Sequence, residues 1–569
     1  MRRRLRPAHR GRGGGLRREV REACARWLRA GGPHCRPAFG VGSRRSRREY
    51  TVGLAGCRLR RAGARLHAMR RFVVLLAGLA AAGVGVGCDS RAGAPPGRGA
   101  RPNLILILVD TLRADRLGAY GSTAGLTPTM DAIASEGVVF ESAIAPAPWT
   151  LPAVASLFCG YYPSVHKATD YKTVAGRSKN PSGTVRVFSD RFVTLAEALQ
   201  KAGYATAAFS ANPFIKAEHG FGQGFDLFRF LGDKAPGDQV NEAALRWLAE
   251  REAGKPFFLY LHYMEPHAPY DAADELLEPL LGAVELRAQK RALSQSELAQ
   301  FRNYYRKSMV RYAGLPRHQN LWKYAEYWAA RYDAAVRQAD VHLGALRARL
   351  QERGVWDGAL VVLLADHGEA LGEHQWWGHG TCAYHNQLHV PLVIRYPGRQ
   401  SAGRRFPQLV RLFDVLPTLL EQGRAGSLKG IQARSLRPLL DGLRDEPRFA
   451  LAESVNTQPG LKALLSADWK LLAQTDRQTY ALFNLAADPG ELSDLAAREP
   501  QRLAELRSLL ETRMRENAEL GKGIQAGEVE ISPEGVQQLG HLGYLGDASH
   551  EDEPADDSEP PSQQEDDQP

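Results

Sequence analysis

Four β-prone runs end at residues able to bind a cation or move a proton. NLILILV (103–109) runs into Asp110, and ALVVLLA (359–365) runs into Asp366 and His367. PFFLYL (256–261) runs into His262 and, a few residues on, His267; YATAAFS (204–210) ends near Asn212. In parallel α/β sheets, ligands bind beyond the carboxyl ends of the strands. Polar residues at four such ends point to one shared site. Two carboxylates and an imidazole can hold a divalent cation. The imidazole tilts the choice toward Mn²⁺ or Zn²⁺ and away from Ca²⁺, which prefers an all-oxygen shell; Ca²⁺ and Mg²⁺ stay open. Taken singly, Asp110 is equally a turn or helix-cap aspartate, and Asp366-His367-Gly368 is equally a turn after a strand.

A nucleophile candidate lies in APWTLPAVASLFCG. Thr150 is expected at the cap position of a helix, with Pro152 in the first turn, where a missing N–H is harmless. A side-chain oxygen there faces free backbone N–H groups and the positive end of the helix dipole, a place suited to an anionic ester. A neighbouring metal would lower the hydroxyl pKa, as nucleophilic catalysis requires. Read without its surroundings, the segment fits an ordinary threonine N-cap as well.

These residues need a scaffold, and the pattern supplies one. The runs above, with VPLVIRY (390–396), are continuous and apolar, as expected of strands buried on both faces. Helical patterns such as TLAEALQKAG (194–203) and the segment from Tyr332 to Arg353 lie between them. This alternation predicts an α/β domain with a largely parallel central sheet flanked by helices, over residues 102–423. The charged, helix-prone stretch 274–323 reads as an insertion covering the site. From 424 to 546 shorter strands and the helical PQRLAELRSLLETRMREN predict a smaller α+β subdomain. The acidic, Pro-rich residues 547–569 predict a disordered tail. No internal repeat is evident.

The chain has 569 residues, room for two or three domains, and a formal charge of +11. Residues 1–68 carry roughly twenty arginines against three acids, so the remainder is mildly acidic. That segment is expected to be a disordered extension or translation from an upstream start, and no nucleic-acid partner is expected. At Met69 a basic pair, an apolar run and small residues before Cys88 make a secretory signal over 69–88, followed by a linker over 89–101. Cys88 stands where a lipoprotein signal places its acylated cysteine, although Gly85 departs from the usual pattern; a plain cleaved signal is the alternative. The expected location is therefore exported, periplasmic or extracytoplasmic, with a lipid anchor in the membrane. Six cysteines are too few and too scattered for a disulfide framework, and Cys159 and Cys382 read as small buried hydrophobes.

Taken together, the motifs resemble the sulfatase family of the alkaline-phosphatase superfamily. VDTLRADRLGAYG (109–121) resembles its first metal motif, and APWTLPAVASLFCGYYPSVH (147–166) its nucleophile helix. HYMEPHAPY (262–270) resembles its substrate-histidine loop. ADHGEALGEHQWWGHG (365–380), with HVPLVIRYPG (389–398), resembles its second metal motif and the strand after it. LFNLAADPGELSDL (482–495) and LGHLGYLG (539–546) resemble C-terminal signatures of bacterial members, so the likeness runs from Pro102 to Gly546. By that resemblance Asp110, Asp366 and His367 are metal ligands, and Thr150 is ligand and nucleophile. His267 and His379 face the transferred group or leaving oxygen, with His262, Asn212 and His374 as further substrate-binding candidates.

The sequence departs from sulfatases that convert a Cys or Ser, within Cys/Ser-x-Pro-x-Arg, to formylglycine. Thr150 cannot form the aldehyde, Val154 replaces the motif's Arg, and Cys159 lacks the motif. The family's paired aspartates are here Asp110 and Thr111. Asp, Thr, Asp and His together look more like metal-dependent phosphotransferases and phosphodiesterases. The expected activity is hydrolysis of sulfate or phosphate esters of a glycan, lipid or small molecule, with phosphoesters favoured. A phosphotransferase acting on a glycan or lipid, and a non-catalytic binding protein on the same fold, are the alternatives. The membrane-bound transferases carry several N-terminal spans, and no such spans are evident here.

Overall fold

The structure, a computed structural model, describes residues 101–174, 182–282, 325–380, 382–443, 445–454, 460–533 and 535–536. Cys88, the 69–88 signal, the segments 1–68 and 547–569, the LGHLGYLG motif and all but residues 274–282 of the insertion lie outside the described residues. Among the described residues no helix is long and apolar enough to cross a membrane.

The main sheet has nine strands. In chain order they are β1 (Asn103–Val109), β2 (Val138–Ile144), β3 (Ala205–Ser210), β4 (Leu227–Phe230), β5 (Phe257–Tyr263), β6 (Ala359–Leu364), β7 (His389–Val390), β8 (Leu392–Arg395) and β9 (Arg404–Arg411). They lie side by side as β7-β2-β8-β6-β1-β5-β3-β4, with β9 also paired to β2. β1 is flanked in parallel by β5 and β6, and β3 is parallel to β5 and to β4. β8 runs antiparallel to both β6 and β2. The sheet is therefore largely parallel, as the sequence pattern predicts. Leu104 to Val109 and all of β6 are buried, because helices cover both faces.

Three expectations shift. β5 runs two residues past the expected end, so His262 lies inside the strand. The run 390–396 splits at Pro391, which has no N–H for the ladder, into β7 and β8. The long helix spans Ala325–Glu352, reaching earlier than Tyr332. Elsewhere the agreement is close: TLAEALQKAG forms the helix Leu195–Lys201, started by a Thr194–Glu197 capping box.

The long helix braces the loop after β1. Its Tyr332 hydroxyl donates to Thr111 O at 2.8 Å and accepts from Arg113 N at 3.1 Å. C-terminal to the main sheet is a four-stranded antiparallel sheet, β10 (Phe449–Glu453), β11 (Leu461–Ser466), β12 (Trp469–Gln474) and β13 (Thr479–Asn484). Leu506 and Leu510 of the helix Pro500–Leu520 pack on Leu464 and Leu471 of that sheet, together with Tyr162 and Phe413 from the larger region. The buried pair Lys470–Glu491 (2.6 Å) extends this contact, since Glu491 also accepts from His385 N at 2.5 Å.

Candidate active site

β1 and β6 are adjacent and parallel, so the residues following them emerge together. Asp110, Asp366 and His367 offer ligand atoms within 4.8 Å of one another, and all three are fully buried. Their hydrogen bonds show which atoms face inward. Asp110 Oδ2 accepts from Asn212 Nδ2 at 2.8 Å and from His262 Nε2 at 3.0 Å, leaving Oδ1 with no hydrogen-bond donor. Asp366 Oδ1 accepts from Thr111 N at 3.2 Å and His367 N at 3.0 Å, leaving Oδ2 with no donor. His367 Nδ1 donates to Gly368 O at 2.9 Å, which leaves the Nε2 lone pair free to bind. That nitrogen lies 3.4 Å from Asp366 Oδ2 and 3.7 Å from Asp110 Oδ1. Two unpartnered, buried carboxylate oxygens converging on an imidazole lone pair fit a divalent cation. Burial also penalises their charged forms, pushing Asp110 up to about 6 and raising Asp366 as well. A cation between them would offset that desolvation and favour the ionised form of both.

The backbone here is held under constraint. Thr111 has φ 58°, a left-handed conformation that a β-branched residue rarely adopts, at a cost of about 1–3 kcal/mol. Its N–H to Asp366 and its carbonyl to Tyr332 hold that turn in place. Gly368 is needed for a different reason: a Cβ there would meet Asn386 O at 2.1 Å.

Thr150 begins the helix Thr150–Cys159, every residue of which is buried. The cap residue is its neighbour Trp149, extended at φ −160° and ψ 162°, and Thr150 is the first helical residue. This corrects the expected cap position. The Thr150 hydroxyl makes no capping bond; it reaches His367 Nε2 at 3.2 Å and Asp110 Oδ2 at 3.5 Å. It thus joins the ligand group instead of closing the helix end.

His267 and His379 are both buried, with ring centroids 4.8 Å apart, and His379 lies 4.5 Å from the His367 ring. His267 Nδ1 donates to Ala268 O at 2.9 Å, so its Nε2 carries the lone pair. Burial holds His379 down at about 3 and His267 well below the usual range, with the neighbouring His379 ring and Lys234 adding to the effect at His267. Asn212 and His262, expected against substrate, turn their polar atoms onto Asp110 instead. His262 accepts from the Tyr260 hydroxyl at Nδ1 (2.9 Å), because Tyr260 and His262 share one face of β5. His374 is not drawn into the group; it stacks on Tyr384 at 3.7 Å with the ring planes 5° apart. Sequence reasoning missed Glu369, whose buried carboxylate lies 3.2 and 3.4 Å from His379 Nδ1. Its position two residues after His367 was the available signal.

The sulfatase family profile matches residues 102–424, and that of the N-sulphoglucosamine sulphohydrolase C-terminal region matches residues 372–519. An arylsulfatase of Clostridium perfringens is 23% identical over 479 residues, covering 72% of this chain and 94% of that protein. A protein solved in complex with its substrate D-glucosamine-2-N,6-O-disulfate matches with a TM-score of 0.59 at 22% identity, covering 74% of this chain and 99% of that one. The phosphonate monoester hydrolase of Agrobacterium radiobacter matches with a TM-score of 0.56 at 22% identity, covering 73% and 96%. With the profile spanning Asp110, Asp366 and the helix that begins at Thr150, this chain belongs to the sulfatase family and is an ester hydrolase of that family.

Proposed function

We propose that the chain is a metal-dependent hydrolase of anionic esters that uses Thr150 as nucleophile and prefers phosphoryl or phosphonyl esters to sulfate esters. The observation that carries this reading is the buried Thr150 hydroxyl, 3.2 Å from the lone-pair nitrogen of His367 and beside Asp110. Asp110, Asp366 and His367 would hold the cation, with Mn²⁺ or Zn²⁺ ahead of Ca²⁺ or Mg²⁺. When bound, it would neutralise the substrate's charge and lower the pKa of the Thr150 hydroxyl. Thr150 Oγ1 forms a bond to phosphorus as the ester's alcohol oxygen leaves. The hydroxyl proton reaches that alcohol through His267. Water then attacks the phosphothreonine, and His379 passes the water proton back to Oγ1 as the Oγ1–phosphorus bond breaks. A sulfothreonine would be harder to clear, because formylglycine chemistry is closed to a threonine.

The substrate class we infer is a sulfated or phosphorylated glycan, lipid or small molecule. The sulfated sugar bound by one structural neighbour and the phosphonate hydrolysis of another support that range. We place the protein outside the cytoplasm, held at the membrane by acylated Cys88. The activity test uses metal-reconstituted protein on 4-nitrophenyl sulfate, a phosphate monoester, a phosphodiester and a phosphonate monoester. We expect kcat/KM to be highest on a phosphorus ester; a clear preference for the sulfate would contradict the reading.

A further inference from the structure

His379 Nδ1 meets a fully buried carboxylate, and the backbone of that residue is held by two hydrogen bonds. Glu369 N donates to Asn386 O at 3.1 Å, and Glu369 O accepts from Arg113 Nη1 at 3.0 Å. Arg113 is itself locked, with Glu373 at 2.7 Å and Asp115 at 2.6 Å. Gly368, with no Cβ to strike Asn386 O, lets the chain pass close enough for this clamp to form. The guanidinium thus grips the Glu369 backbone, while the side chain is directed at His379 with its oxygens at 3.2 and 3.4 Å. A buried carboxylate beside an imidazole costs desolvation energy, which a shape-matched apolar residue would avoid. Its presence beside a proton-transferring histidine matches the carboxylate–imidazole pairing that fixes tautomer and ring orientation.

We infer that Glu369 is a positioning residue for the reaction: its carboxylate accepts the His379 Nδ1 proton, fixes the ring and leaves Nε2 to take the proton of the hydrolytic water. An ionised carboxylate can only accept, and against one Nδ1 carries the hydrogen and Nε2 the lone pair. The opposite tautomer would set a lone pair against a carboxylate oxygen and place a hydrogen where the base is needed. The proton role of Nε2 rests on the Thr150 reading above, whereas the tautomer does not.

The test uses the full, metal-loaded chain with ¹⁵N-labelled histidine, the His379 signals being those lost in H379Q. Long-range ¹H–¹⁵N spectra should show wild-type His379 protonated at Nδ1 with Nε2 unprotonated. E369L should release that preference and lower kcat about 10- to 100-fold, the usual loss for a carboxylate behind a functional histidine, with KM near wild type. E369D should restore part of kcat, and E369M, unbranched and closer in shape but without the carboxylate, supplies the same comparison should E369L not fold. A wild-type His379 protonated at Nε2 would overturn the inference, as would an E369L enzyme with unchanged kcat. So would a raised KM with lowered thermal stability and intact kcat, which marks a packing role. If T150A stays fully active while E369L loses kcat, the Thr150 reading fails and the positioning of His379 stands.

Discussion

His262 Nε2 donates to Asp110 Oδ2 at 3.0 Å, and the partner oxygen of the same carboxylate is thereby left facing Asp366 and His367. A histidine expected at the substrate thus orients the carboxylate of a proposed metal ligand.

The metal prediction follows from that relationship. H262A should weaken cation affinity about 10- to 100-fold, because the carboxylate loses a bond that orients it. D366A should abolish binding, since it removes a ligand and leaves Asp110 buried with no compensating charge. Elemental analysis of dialysed proteins, with a competition titration against a chelator, checks both. Equal metal content in wild type and D366A would rule out the assigned ligand set.

How much of this site is legible in the sequence depends on distance along the chain. Asp110, Asp366 and His367 stand out because each ends an apolar run of a fully buried parallel strand. Glu369 carries no such mark: its partner His379 lies ten residues on, and their contact exists only once the antiparallel pairing of Ala370–Leu371 with Trp377–Gly378 sets them opposite each other. The strands follow the same logic. β1 is apolar after Asn103, and β6 is apolar throughout. β2 (VVFESAI) mixes Glu and Ser into its run, and β9 (RRFPQLVR) carries arginines and a proline. Pro407 falls where the β9–β2 register shifts between Phe406 and Leu409, a place where a missing N–H is tolerated. The helix cap was misplaced by one residue because Thr150 is a common cap type, whereas here its hydroxyl is drawn into the site.

The acid limit of stability can be read from His166. It is fully buried, with Nε2 3.0 Å from Ser156 Oγ and Nδ1 accepting from Ala168 N at 3.2 Å. Burial holds its pKa down at about 3, against an ordinary value of 6.5. The neutral ring is the folded form, so its contribution is complete above about pH 6.5 and is lost as pH falls from there toward 3. H166Q should therefore lose stability relative to wild type at pH 7.5, and the gap should narrow as the pH drops through that window. Denaturation midpoints measured from pH 8 to 4 test this; a gap that stays constant would contradict it.

Membrane anchoring is predicted from Met69 to Cys88. Protein expressed from Met69 should enter the membrane fraction, and C88S should release it. Fractionation followed by immunodetection gives the answer. Should C88S fractionate as wild type does, lipidation is excluded and a plain signal peptide remains.

The measurement that bears most directly on the account is mass spectrometry of acid-quenched turnover mixtures, read at the peptide containing Thr150. With a phosphate ester as substrate, that peptide should carry a phosphoryl adduct. T150A should show no adduct and a loss of turnover on the order of 10³-fold or more, because the surviving groups cannot replace a covalent nucleophile. T150S keeps the oxygen and should retain measurable activity with the adduct on the serine. An unmodified peptide, together with a T150A enzyme of undiminished activity, would show that water attacks the ester directly and that Thr150 is not the nucleophile.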